Sequence, residues 1–209
     1  NGSSEYIASI SMSLVSMLYN AQLIKLAGAD GVAAYGVLLY VSEFFLAIFE
    51  GYAIGTAPVI GYHYGAQNQK ELQNVFSLSL HIIGICAIAM LLAGEVFAGA
   101  ISAAFVGYDE SLMKMTTHAF RIFSFSFLFA ALPIYCSALF TALNNGVISA
   151  LISFIRTFLF QIGAVLLLPI IMGLDGIWFS SVVAELLASI LSICILIGKR
   201  KTLFIRATP

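Results

Sequence analysis

The amino-acid sequence predicts an all-α, polytopic membrane protein, a bundle of six transmembrane helices. Three observations lead there. The 209 residues are 61% apolar and only 9% charged. The mean hydropathy is +1.04. The apolar residues fall in long uncharged runs, not in the period-two alternation of a membrane β-barrel. Nine cationic and ten acidic side chains cannot cover a water-soluble fold of this size, so lipid must be the solvent around most of it. A soluble enzyme is excluded on that ground. A net charge of −1, with its only basic cluster at Lys199, Arg200, Lys201 and Arg206, leaves no basic face for nucleic acid. Cys86, Cys136 and Cys194 each sit in an apolar run and suggest packing, not disulfides or metal ligation.

A helix needs about 20 residues to cross the hydrocarbon core. On that measure the spans are expected at 6–27, 32–62, 72–94, 113–143, 147–172 and 176–198, forming a single lobe over 1–209 with a tail at 199–209. The first ends at Lys25 and a Gly28-Ala-Asp-Gly31 turn. The second contains Glu43 and Glu50 within otherwise apolar surroundings. Residues 61–71 are the longest polar stretch, and 72–94 crosses back. Residues 95–106 are too short to span and are expected to form an interfacial or re-entrant turn. The uncharged stretch 122–155 is too long for one crossing, and Asn144-Asn145-Gly146 divides it into a hairpin. Gly173-Leu-Asp-Gly176 closes the fifth span, and the sixth is interrupted only by Glu185. Loops on one side carry Lys70, Lys199, Arg200, Lys201 and Arg206; those on the other carry Lys25, Lys114, Asp30, Asp109, Glu110 and Asp175. The positive-inside rule then puts both chain ends in the cytoplasm of a cell membrane. With no initiator Met and no basic region before its first apolar run, the chain lacks a signal peptide's layout and is expected to be a segment of something longer.

Charges within spans cost at least roughly 2.5–3.5 kcal/mol each on insertion scales, so they normally face a partner or a wet cavity. Glu43, Glu50, Arg121, Arg156 and Glu185 are such charges. Straight helices rising ~1.5 Å per residue would put Glu43, Arg121 and Glu185 near one level and Glu50 and Arg156 near a deeper one. Cross-helix pairs Glu43–Arg121 and Glu50–Arg156 are therefore expected. Glu43 and Glu50, seven residues apart, share a helix face with Tyr40, Ala47 and Ile54. Two readings stand for these acids. A carboxylate withdrawn from water can exchange H⁺ or bind Na⁺ as its surroundings change; alternatively the charges only lock helices together. Arg121 and Arg156, permanently charged, suit structural partners of carboxylates better than proton carriers. Pro58 and Pro133 are expected to kink their helices, and Gly51-xxx-Gly55 suits close packing. Phe123, Phe125, Phe127 and Phe129 are either a pocket lining for lipophilic cations or lipid-facing filler. His63, His81 and His118 lack ligand spacing, so no metal is expected. No hydrolase, zinc-protease or nucleotide-binding motif occurs, which leaves an ion gradient as the energy source.

The segment Gly51-Tyr-Ala-Ile-Gly-Thr-Ala-Pro58-Val-Ile-Gly-Tyr-His-Tyr-Gly65-Ala-Gln-Asn68 resembles the end of the second helix in each half of multidrug and toxic compound extrusion (MATE) transporters. Ala138-Leu-Phe-Thr-Ala-Leu-Asn144-Asn-Gly146, the stretch 149–156, Leu174-Asp-Gly-Ile-Trp178 and Ala184-Glu185 are similar to that family's last three helices. Residues 1–20 resemble the seventh helix of its bacterial, multidrug-exporter-like branch. The resemblance covers nearly the whole chain. It implies the C-terminal lobe of a twelve-helix protein whose N-terminal lobe is its partner, along with membrane lipid and small organic cations. It also implies a Na⁺- or H⁺-coupled antiporter of drugs working by alternating access, with no enzyme activity and no cofactor beyond the coupling ion.

Relatives that bind cations in this lobe use an acid in helix seven, an aromatic in helix eight and an acid in helix ten. Here Glu5 lies at the very start of its helix, Tyr40 is the candidate aromatic, and the tenth helix carries Arg121 and no acid. Either Glu43 and Glu50 replace the missing carboxylate, or coupling resides in the other lobe. The expected substrate and cation site is Glu43, Glu50, Tyr40 and Glu185. Two other readings are an exporter or flippase of lipid-linked oligosaccharides from the same superfamily and a non-transporting scaffold. Three buried acids against two bases favour cationic cargo.

Overall fold

The computed structural model describes the backbone of residues 2–204 and the side chains of residues 13–199. It is all helical, with α1 at Gly2–Gly65, α2 at Gln69–Val106 and α3 at Glu110–Ala142. Helix α4 covers Gly146–Met172 and α5 Leu174–Phe204. All five are long and apolar enough to cross a membrane, which makes the chain a multi-pass membrane protein.

Five helices, not six, is the first correction. The expected loop between residues 27 and 32 is absent, and helical structure runs from Gly2 to Gly65 with one non-helical residue, Gly28, at φ 64° and ψ −149°. That conformation is open essentially to glycine alone, so the chain turns on one residue where a loop was expected. The turn is sharp. Sixteen residues of straight helix would separate Tyr19 from Tyr35 by about 24 Å, yet their rings stack with centroids 4.8 Å apart. The two arms of α1 thus lie side by side.

A second correction concerns residues 95–106, expected as a separate interfacial segment. They continue α2 without a break to Val106. Nothing in that stretch stops a helix until Gly107, and Gly94 permits close packing on α3: a Cβ there would sit 2.7 Å from that of Ser124.

The remaining turns follow from their residues. Asn68 accepts a hydrogen bond from the Glu71 amide and so caps α2. Asp109 Oδ1 accepts from the amides of Ser111 and Leu112 at the start of α3. These satisfy donors that a helix start leaves unpaired. Asn144 takes a left-handed φ of 57° and Asn145 caps α4. Gly173, at φ 60°, ends α4, and α5 begins at the next residue. At that end His118 Nε2 lies 2.9 Å from Asp175 Oδ1 and ties α3 to α5.

Helix α3 is the hub. Of its most apolar stretch 61% is buried, against 17–33% in the other four helices. Phe120, Phe127, Tyr135 and Phe140 fill the core around it, with Trp178 from α5. The four phenylalanines do not act as one row. Phe127 is buried and stacks on Phe45 at 5.0 Å, whereas Phe125 is 45% exposed. Pro133 is buried inside α3, and Pro58 lies on an exposed face of α1.

Gly28→Ala meets no atom within 4 Å, so its cost is backbone strain alone. A loss of about 1–3 kcal/mol is expected. The control Gly36→Ala, also unobstructed but helical, should be neutral or stabilising by up to about 1 kcal/mol. Thermal unfolding of the purified protein in detergent compares the two.

Candidate functional site

A cavity of about 660 Å³ opens between both arms of α1 and the facing sides of α3, α4 and α5. Glu43, Glu50, Arg156 and Glu185 all line it. Four of the five membrane charges noted from sequence therefore converge on one space. Their arrangement differs from the expected one.

Arg156 bonds Glu185. Its Nε lies 3.0 Å from Oε1 and 2.9 Å from Oε2, and its Nη2 lies 2.9 Å from Oε1. The side chains are 23% and 12% exposed, so the pair is largely withdrawn from solvent and each charge needs the other. Among the described residues no ion pair or hydrogen bond joins Glu50 to Arg156 or Glu43 to Arg121. Depth along a straight helix leaves direction around the helix axis unspecified. Arg121 shows why direction decides. Phe123, Ser126 and Ala130 mark the cavity face of α3; Arg121, two residues before Phe123, points roughly 160° away from it at 100° per residue and is exposed. Tyr40 is 78% exposed and does not line the cavity. Glu5 lies outside the residues whose side chains are described.

Glu43 and Glu50 line the opposite wall and are exposed to the cavity's open side. Neither has an ion-pair or hydrogen-bond partner among the described residues. Ser13, Ser16, Ser42 and Ser126 line the same space. No cluster of three metal-ligating side chains occurs among the described residues.

Below the ion pair lies a network that sequence reasoning missed. Gln161 Nε2 donates to Tyr19 Oη at 2.8 Å and to Ser181 Oγ at 3.2 Å, and those two oxygens are 3.1 Å apart. Tyr19 and Ser181 look like ordinary membrane-helix residues in the sequence. Gln161, the sole amide in its apolar run, was the available signal.

The local backbone explains how these bonds coexist. Residues Ile155–Gln161 form a π-helical stretch within α4. In an α-helix, residues five apart point about 140° from each other. The wider π turn brings them onto one face. Arg156 and Gln161, five apart, can thus both address α5, where their partners Glu185 and Ser181 are four apart and one α-turn in line. Two polar rungs result, one ionic and one neutral.

Comparison with known proteins follows from this geometry. The family model described as MatE matches residues 6–167. No curated protein matches the chain. Among solved structures, an outward-facing multidrug resistance MATE family transporter of the MOP superfamily is similar at 21% identity and TM-score 0.88, over 97% of this chain and 46% of that one. An inward-facing form of such a transporter is similar at 22% and 0.85, over 94% and 46%. A MOP superfamily transporter from Pyrococcus furiosus, in which reverse polarity of the binding pocket suggests a different function, is similar at 22% and 0.87, over 97% and 46%. At these identities the likeness is one of fold. The chain spans somewhat under half the length of each.

Glu185→Leu or Arg156→Met alone strands a charge and should cost about 2–3 kcal/mol, somewhat less than a fully buried pair. Replacing both should cost less than either single change. A double-mutant cycle on thermal stability in detergent measures that difference.

Proposed function

Because this chain belongs to the MatE family, we propose that it forms the C-terminal lobe of a secondary transporter that exports organic cations in exchange for Na⁺ or H⁺. The reading rests chiefly on the unbalanced acids of the cavity. Arg156 offsets Glu185, so Glu43 and Glu50 remain as two carboxylates without a cationic partner among the described residues, in a space about 660 Å³ in volume. That volume suits a drug-sized molecule. An uncompensated carboxylate pair draws cations into a cleft of low dielectric, and either acid can exchange its counter-ion for a proton or Na⁺.

Alternating access asks each lobe to keep its internal fold while the lobes rock against one another. Near-equal likeness to outward-facing and inward-facing structures, at TM-scores of 0.88 and 0.85, supports a lobe that behaves as one body. The clustering of Lys70 and Lys199 at one end of the bundle favours a cytoplasmic location for that end. Anionic cargo, such as a lipid-linked oligosaccharide, is disfavoured: it needs an uncommitted cation, and Arg156, the cavity's guanidinium, is already bonded.

Glu50→Gln in the full-length protein should reduce gradient-driven efflux of a fluorescent lipophilic cation from vesicles by at least about tenfold while leaving membrane insertion intact. Na⁺ and H⁺ gradients imposed separately identify the coupling ion. Undiminished efflux in Glu50→Gln and in Glu43→Gln would remove these acids from the mechanism.

A further inference from the structure

The two acids draw any positive charge toward the cavity, and either also accepts a hydrogen bond from an N–H group that reaches it. A second feature of the cavity adds a fixed acceptor. Gln161 lines the cavity, and its amide nitrogen donates to Tyr19 Oη and Ser181 Oγ. Those oxygens are held in turn: Tyr19 is 1% exposed and stacked on Tyr35, and Ser181 is 6% exposed. The amide is therefore clamped. A planar carboxamide whose nitrogen faces the wall turns its carbonyl away from that wall. Gln161 Oε1 has no partner among the described residues, and it is not one of the fully buried polar atoms left without one. It is not fully enclosed.

We infer that Gln161 Oε1 is a fixed hydrogen-bond acceptor of the cavity, and that it selects cations bearing N–H groups, such as protonated amines and amidines, over quaternary ammonium ions. This rests on the cation reading above and specifies the chemistry of the cargo. A neutral carbonyl accepts from an ammonium N–H. It gains nothing from a trimethylammonium group, which displaces the water on the carbonyl and leaves it unpaired. Sites built around a hydrogen bond discriminate most strongly against partners that cannot make it. On that wall the charged side chains are committed, since Arg156 and Glu185 bond each other. Gln161 is thus a specificity-determining residue, and Tyr19 and Ser181 are the positioning residues that orient it.

The test uses the full-length protein in detergent and fluorescence titration with two probes. One is dansylcadaverine, which ends in a primary ammonium; the other is its N,N,N-trimethyl analogue. The parent should bind the ammonium on the order of tenfold more tightly, because one charge-assisted hydrogen bond separates them. Gln161→Met, close in shape and a far weaker acceptor, should lower the ratio by weakening the ammonium probe alone. Ser181→Ala loosens the clamp without altering the acceptor and should lower the ratio part of the way, which keeps the inference testable should Gln161→Met fail to fold. Glu43→Gln with Glu50→Gln should weaken both probes and, with Gln161 untouched, keep the ratio above one. Equal binding of the two probes by the parent overturns this inference and leaves the cation reading standing, as does an unchanged ratio in Gln161→Met. Binding of neither probe by the parent overturns both.

Discussion

The contact between Arg156 and Glu185 sets the register of α4 against α5, and the cavity depends on that register. In hydrocarbon an unpaired charge has no water to turn to, so each member of the pair holds the other in place. Their three short nitrogen–oxygen contacts leave little freedom to slide. One turn along α5, Ser181 is then at the height of Gln161, and Tyr19 closes the group from α1. The ion pair therefore does more than neutralise itself. It commits the charges of Arg156 and Glu185 to each other, and it fixes the wall that Glu43 and Glu50 face.

Helix α1 supplies the other wall because it doubles back. Tyr19 stands on one arm and Glu43 and Glu50 on the other, and both arms reach the same cavity. Stacking of Tyr19 on Tyr35 holds the arms together at one height, while α3 backs them with a largely apolar face. Helix α2 lines no part of the cavity. It shields the far side of α3, where Gly94 and Ser124 allow close approach.

Composition and turn chemistry made much of the fold legible. Apolar runs located the helices, and the polar stretch 61–71, Asn144-Asn145-Gly146 and Gly173 marked ends; the capping bonds of Asn68, Asp109 and Asn145 emerged with the structure. Gly28 was legible as a turn but not as a single-residue one, since a loop and a strained glycine use the same letters. The cavity acids were found as misplaced charges. Their pairing was not, because depth along a helix says nothing about direction around it, and Arg121 fell on the wrong side of α3. The π stretch of Ile155–Gln161 left no signature in residue type, so the alignment of Arg156 with Gln161 could not be foreseen. Tyr19 and Ser181 acquire their roles only from neighbours distant in sequence.

That π stretch bears on which changes of length the chain can accept. A loop lengthens or shortens by a residue with little effect on the elements it joins. Residues 155–161 offer latitude in one direction only. Deleting one would let the helix relax to ordinary α geometry with Arg156 and Gln161 four apart, about 40° from each other, so both would still address α5 and the helix beyond would keep its register. One residue more would add about 100° of rotation with no wider turn left to absorb it. Related chains that share this wall should therefore match this length or be one residue shorter with an unbroken α-helix.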